Sequence, residues 1–176
     1  NNCSELMLSI IHNSKPVIAE VNGVATAAGC QLVASCDLAY ASESSKFATP
    51  GVNIGLFCST PMVALSRNIS NKQAMEMLLT GDMIDAKKAK EIGLINNSVN
   101  GKNLMQATLV LAKKVASKSS MTLKLGKQAF YAQSSLELSE AYKYTSKVML
   151  GNILKGDAKE GIEAFINKRD PEWKHK

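Results

Sequence analysis

The chemically suggestive residues of this chain crowd into Asn22-Gly23-Val24-Ala25-Thr26-Ala27-Ala28-Gly29-Cys30-Gln31. An apolar run ends at Asn22-Gly23, which is strong turn chemistry. Small residues follow from Ala25 to Cys30, and then an apolar helical pattern begins. A helix whose first turn lacks bulky side chains presents its unbonded N–H groups and the positive end of its dipole to whatever docks there. That arrangement suits a carbonyl oxygen gaining negative charge. Small residues also permit tight helix–strand packing, so both readings stand at this point.

A second candidate is Cys58-Ser59-Thr60. Cys58 would be nucleophilic only if a helix starting at Pro61 lowered its pKa. No histidine lies nearby, since His12 precedes the first strand and His175 is in the tail. The competing reading is a helix cap with a buried thiol. Asp37 follows Cys36 where a helix gives way to a strand, which points to a turn or cap. Glu20 and Glu43 read as surface residues. The four cysteines lack metal-ligand spacing, and Cys30 and Cys36 sit among apolar residues. They read as buried free thiols of a reducing compartment.

The elements that must position these residues are short. Leu6 to His12 reads as the end of a helix already running. Pro16 to Val21 reads as a buried strand, Ala27 to Ser35 as a helix and Asp37 to Ala41 as a second strand. Phe47 to Gly51 is extended, because Pro50 disfavours helix before it. From Gly55 the pattern becomes helix after helix. Ser59 or Thr60 caps one, with Pro61 at its first position. Ser70 caps Lys72 to Leu79, which stops at Gly81; Asp85 caps Ala86 to Ile92, which stops at Gly93. Leu94 to Val99 reads as an exposed-edge strand. Lys102 to Ala116, Met121 to Tyr131, Leu136 to Leu154 and Ala158 to Ile166 read as helices. Helices this apolar in so small a chain point to faces buried against another copy.

Composition narrows the class. The 176 residues are 45% hydrophobic and 5% aromatic, with a formal net charge of +6. No apolar run reaches the length of a membrane span. The chain begins Asn1-Asn2-Cys3 without a signal-peptide pattern, so a processed chain or a fragment is expected. Lys87, Lys88, Lys90, Lys113, Lys114, Lys118, Lys124 and Lys127 read mostly as solvated helix faces. A basic balance suits phosphate-bearing ligands, and no nucleic-acid motif accompanies it.

The order of motifs resembles the enoyl-CoA hydratase/isomerase (crotonase) superfamily. The match rests on Lys15-Pro16-Val17-Ile18-Ala19, Val21-Asn22-Gly23, the turn ending Gly29-Cys30, and Cys36-Asp37. It continues through Phe47-x-x-Pro50, Gly55-Leu56, Met75-x-x-Leu78-Leu79-Thr80-Gly81 and Ala86-x-x-Ala89-x-x-x-Gly93-Leu94. It ends with Glu160-Gly161-x-x-Ala164-Phe165-x-x-Lys168-Arg169. The resemblance implies an α/β fold, a crotonase-like spiral of ββα units that is N-terminally truncated here. Residues 1–100 would be the C-terminal portion of that core, and 101–176 a helical trimerisation region. It implies an acyl-CoA ligand, a homotrimer or dimer of trimers, a mitochondrial location and no cofactor beyond the coenzyme A thioester itself. The first oxyanion donor and much of the adenine pocket would belong to the part that is absent.

The resemblance also assigns roles. The Ala28 N–H aligns with the second oxyanion donor, and one such donor is worth about 3 kcal/mol in a transition state. Ala25, Ala27, Ala28 and Gly29 would line the thioester, with Phe165 and Lys168 at the coenzyme A site. Hydratases carry glutamates where this chain has Gln31 and Gly51. Losing one acid–base group costs on the order of 100- to 10,000-fold, which argues against efficient hydration. Ser59 falls where a dienoyl-CoA isomerase carries an aspartate. The expectation is therefore an acyl-CoA binder of fatty-acid metabolism with weak or no hydratase activity. The alternatives are an isomerase or acyl-CoA hydrolase using a non-standard residue, and an RNA-binding relative.

Overall fold

A computed structural model describes residues 2–175. The chain is α/β and packs as two compact units. The first holds residues 1–13 and 17–112, the second 14–16 and 113–176.

In the first unit, helix α1 (Asn2–His12) precedes strand β1 (Ile18–Val21). Gly23, at φ 128, turns the chain into β2 (Val24–Thr26) and then α2 (Ala28–Ser35). Strands β3 (Leu38–Ser42) and β4 (Lys46–Ala48) follow. A 3-10 turn (Pro50–Ile54) leads to α3 (Ser59–Asn68) and α4 (Asn71–Thr80). The unit continues through β5 (Ile84–Asp85), α5 (Ala86–Glu91), β6 (Asn97–Val99) and the start of α6 (Leu104–Ala116).

Two three-stranded sheets result. One has the order β1-β3-β6, all parallel, with Ala19 opposite Ala39 and Ala41 opposite Ser98. The other has the order β2-β4-β5, with β2 and β4 parallel and β4 and β5 antiparallel. The core between strands and helices is built of Cys30, Val33, Ala41, Phe47, Leu65, Leu78, Ala86 and their neighbours. Its aromatic content is low, so small residues must interlock closely to fill it.

The expected helix caps at Ser70 and Asp85 form as read. Ser70 Oγ accepts from the Gln73 N–H and Asp85 Oδ1 from the Lys88 N–H. Gly81 and Gly93, at φ 69 and 84, end those helices in the left-handed conformation. Other expectations need correction. The strand expected over Leu94 to Val99 shrinks to β6, because Leu94 and Ile95 are drawn into the core. Strand β1 is half-buried, and only Val21 in it is fully covered. The cap of α3 is Cys58, which makes no side-chain cap bond, so Pro61 lies inside the first turn and not at its first position. Strand β2 is short enough that its sequence gave no warning of it.

In the second unit, α7 (Ser120–Gln133), α8 (Leu138–Ile153) and α9 (Gly156–Ile166) pack in succession. Lys127, read as a solvated residue, is buried, and its amine donates to the Lys15 carbonyl at 3.1 Å. The segment after α9 is strapped back onto that unit. Both oxygens of the buried Asp157 accept the His175 N–H. Glu160 forms a bidentate pair with Arg169, one arm at 3.0 Å, and accepts the Glu172 N–H at 2.8 Å. Trp173 lies against Gly161 and donates its ring N–H to the Ser117 carbonyl at 2.8 Å.

Candidate functional site

The turn before α2 is fixed by buried hydroxyl groups. Ser45 Oγ accepts the Gly23 N–H at 3.1 Å, donates to the Val21 carbonyl at 2.9 Å and lies 2.8 Å from Ser42 Oγ. Both serines are fully buried. Downstream, the Ala27 N–H donates to the Ala48 carbonyl at 3.0 Å, which ties the helix start to β4. Ala27 itself adopts φ 48 and ψ −113. That conformation is unfavourable for a residue with a Cβ, and such strain concentrates where geometry is functionally constrained.

Helix α2 starts immediately after. Its first intrahelical bond runs from the Gln31 N–H to the Ala27 carbonyl at 3.0 Å. The N–H groups of Ala28, Gly29 and Cys30 precede that bond, at the positive end of the helix. Ala28 is exposed, Ala27 and Gly29 are half-buried, and Ala25 is buried. A Cβ added at Gly29 would meet only the Ala25 Cβ, at 3.9 Å. Packing therefore does not demand glycine there.

Gln31 is 4% exposed. Its Oε1 receives the Cys3 thiol at 3.6 Å. Gly51 lies in the 3-10 turn, which is held against α4 by the bond from Thr49 Oγ1 to the Met77 carbonyl at 3.0 Å. The chain then folds back on Gly51. The Leu56 N–H donates to the Gly51 carbonyl at 2.9 Å, and the Gly51 N–H donates to Cys58 Sγ at 3.3 Å. A Cβ at position 51 would lie 2.8 Å from the Leu56 carbonyl oxygen and 2.9 Å from Cys58 Sγ.

The remaining nucleophile candidates are occupied. Cys58 is buried and accepts from Gly51. The Cys30 thiol is pushed up to about 12 by burial, with a smaller contribution from Cys58, so it stays protonated and inert. Ser59 Oγ donates to the Phe57 carbonyl at 3.3 Å on the exposed start of α3. Asp37 accepts the Val17 N–H at 2.7 Å, the turn role read for it. Glu20 and Glu43 are exposed, as read. Two cysteines depart from the buried-thiol reading, since Cys36 is half-buried and Cys3 is exposed. No cluster of potential metal ligands occurs among the described residues, and no helix among them is long and apolar enough to cross a membrane.

Within the first unit, then, the fold gathers Ala25, Ala27, Ala28, Gly29 and Gln31 on one strand–turn–helix element, with Gly51 in the 3-10 turn and Cys58 and Ser59 at the start of α3. Phe165 and Lys168 belong to the second unit. Phe165 is 84% exposed at the end of α9, and Lys168 follows at φ 53. Sequence reasoning missed the contact of Cys3 with Gln31 and the closure of the loop on Gly51. The first joins residues 28 apart and leaves no local signal, whereas the second is a local turn closed by backbone groups and a thiol that residue types alone do not announce.

The pattern of the enoyl-CoA hydratase/isomerase family matches residues 1–176. Enoyl-CoA hydratase domain-containing protein 3, mitochondrial, of Rattus norvegicus is 53% identical over 173 residues, covering 98% of this chain and 58% of the rat protein. The crystal structure of the human protein of that name superposes with a TM-score of 0.94 at 52% identity, covering 97% of this chain and 68% of that one. An enoyl-CoA hydratase structure from Mycobacterium smegmatis gives a TM-score of 0.95 at 46% identity, covering 97% and 66%. The chain thus spans 58% of the length of that curated rat relative.

Proposed function

The chain belongs to the enoyl-CoA hydratase/isomerase family, and from that premise we propose that it grips acyl-CoA thioesters without the proton chemistry of a hydratase. The thioester carbonyl accepts from the Ala28 N–H at the start of α2, where the small residues Ala25, Ala27 and Gly29 leave the backbone open. As charge builds on that oxygen, the N–H and the helix dipole stabilise it. Gln31 orients groups by hydrogen bonding but offers no proton-transfer pKa near neutrality. In the second unit, Phe165 and Lys168 match family positions for a coenzyme A moiety, often contributed to a neighbouring subunit, with Lys168 supplying charge to a phosphate.

The observation that carries this reading is the space at Gly51. A glutamate there would have to pass between the Leu56 carbonyl oxygen and Cys58 Sγ, both within 3 Å of its first carbon. The position is closed as well as vacant of a carboxylate. The names of the relatives support a mitochondrial location, and we place the chain in fatty-acid metabolism as an acyl-CoA-binding member that assembles as a trimer.

The test uses the full-length protein. Titration with butyryl-CoA should show saturable binding. Crotonyl-CoA hydration should run at least about 10,000-fold slower than with a hydratase that has both glutamates. Hydration at the rate of such an enzyme would overturn the roles given to Gln31 and Gly51.

A further inference from the structure

The second unit contains a cavity of about 520 Å³ bounded by the start of α7, the end of α8, α9 and the segment strapped back after α9. Leu123, Ile162, Phe165 and Trp173 make its walls mainly apolar. Of its lining residues, only Phe165 is also used by the acyl-CoA reading. A cavity of this size, apolar with a few polar groups, has the build of a small-molecule site.

Two polar groups of the lining lack a protein partner. Asn152 Oδ1 is enclosed and makes no hydrogen bond, and it is alone in this among the described residues. An enclosed acceptor without a donor is unfavourable. The second group is Lys118, at the exposed rim, whose amine forms no ion pair with the described residues. The buried Asp157 is different, because Ser119 and the Lys174 and His175 N–H groups already satisfy its carboxylate. What remains open in the cavity is therefore one acceptor and one positive charge above an apolar wall.

We propose that this cavity binds apolar carboxylates that carry an amide N–H, the chemistry of an N-acylated amino acid. The acyl chain lies against Leu123, Ile162 and Trp173. The Asn152 carboxamide turns its oxygen to the ligand and accepts the amide N–H, which satisfies an acceptor that the fold leaves bare. The carboxylate faces Lys118. A plain fatty acid carries the charge without the donor, and a neutral fatty amide the donor without the charge, so each meets half of the site. The proposal stands apart from the thioester grip at α2.

Calorimetric titration of the full-length protein with N-octanoylglycine tests this, beside two counterparts. Octanoyloxyacetate replaces the N–H with an ester oxygen, and N-octanoylglycinamide lacks the charge. One saturable site per chain is expected. The ester should bind about fivefold more weakly, as the loss of one neutral hydrogen bond predicts. The uncharged amide should bind about threefold more weakly, as fits a cation at the solvent edge. Asn152→Leu should erase the preference for N-octanoylglycine over the ester. Lys118→Gln should erase the preference for it over the uncharged amide, and this exposed substitution reads the site independently if Asn152→Leu fails to fold. Absence of binding, equal affinity of the parent protein for amide and ester, or a charge preference that survives Lys118→Gln would overturn the proposal. So would displacement of N-octanoylglycine by saturating butyryl-CoA, which would make the cavity part of the acyl-CoA site. Failure of butyryl-CoA to bind, with N-octanoylglycine bound as expected, would remove the acyl-CoA reading and leave this site standing.

Discussion

A methyl group at position 51 would have to displace a backbone carbonyl, since Leu56 O lies 2.8 Å from the Cβ it would add. Backbone yields less readily than a flexible side chain, so Gly51→Ala should destabilise the protein by about 1–3 kcal/mol in urea unfolding. Gly29→Ala is the contrast, because its Cβ reaches only ordinary contact at 3.9 Å, and it should stay within about 0.5 kcal/mol of the parent. Equal stability of the two variants would show that the loop moves aside freely and that Gly51 is not closed. At this scale the sequence was readable where chemistry lies in a residue's type. Gln31 and Gly51 stood out because they are not carboxylates in a motif that leads one to expect them. Cys3 did not stand out, because its partner lies 28 residues away. The Ala27 strain was also hidden, since alanine gives no hint of a positive φ.

The strap after α9 shows what elements contribute. Arg169 holds the Glu160 carboxyl well below its ordinary 4.5, at about 2, through their hydrogen bonds, with the Glu172 N–H adding to the effect. A carboxylate with a depressed folded-state pKa stabilises above its unfolded value and loses that contribution as pH falls through the folded one. The strap should therefore release between about pH 4.5 and 2. The Asp157 carboxyl is likewise held low, chiefly by the Ser119 hydrogen bond. Trp173 is the single tryptophan of the sequence, so its emission reports the strap directly. Glu160→Gln should red-shift that emission at neutral pH and flatten the acid transition. An unchanged acid profile in the variant would mean that the pair does not secure the strap. Element boundaries were legible where the signal is local, as in Ser70, Gly81, Asp85 and Gly93. They were not legible for β2 and β5, whose few residues become strands only through their partners β4. Nor was the cap of α3, where Cys58 holds the position without a side-chain cap bond and its sulfur instead accepts the Gly51 N–H.

Across the whole molecule, charge and apolar surface are distributed unevenly. Fourteen of the 21 Lys and Arg residues fall in the second unit, against seven of the 15 Asp and Glu. The positive charge of the chain therefore resides there. The same unit exposes Phe130, Leu138, Tyr142, Met149 and Leu150, each more than half accessible. We assign these side chains to the proposed trimer contact. Sedimentation of the full-length protein should give a trimer or a multiple of one, and Met149→Asp with Leu150→Asp should lower the mass. A monomeric parent protein would refute the assembly. Early strands followed by helix after helix could be read from the local pattern, and the α/β class came with the family resemblance. How the chain divides could not, because the division falls inside the continuous helix α6. The turn ahead of α2 carries one more implication. It is pinned by Ser42 and Ser45, hydroxyl groups that neither ionise near neutrality nor attract counterions. The proposed grip on a thioester carbonyl should then be indifferent to buffer, while the proposed attraction of a polyphosphate handle fades with salt. Truncating the ligand to a short pantetheine thioester would separate the two, leaving affinity that is weak but the same from dilute buffer to brine.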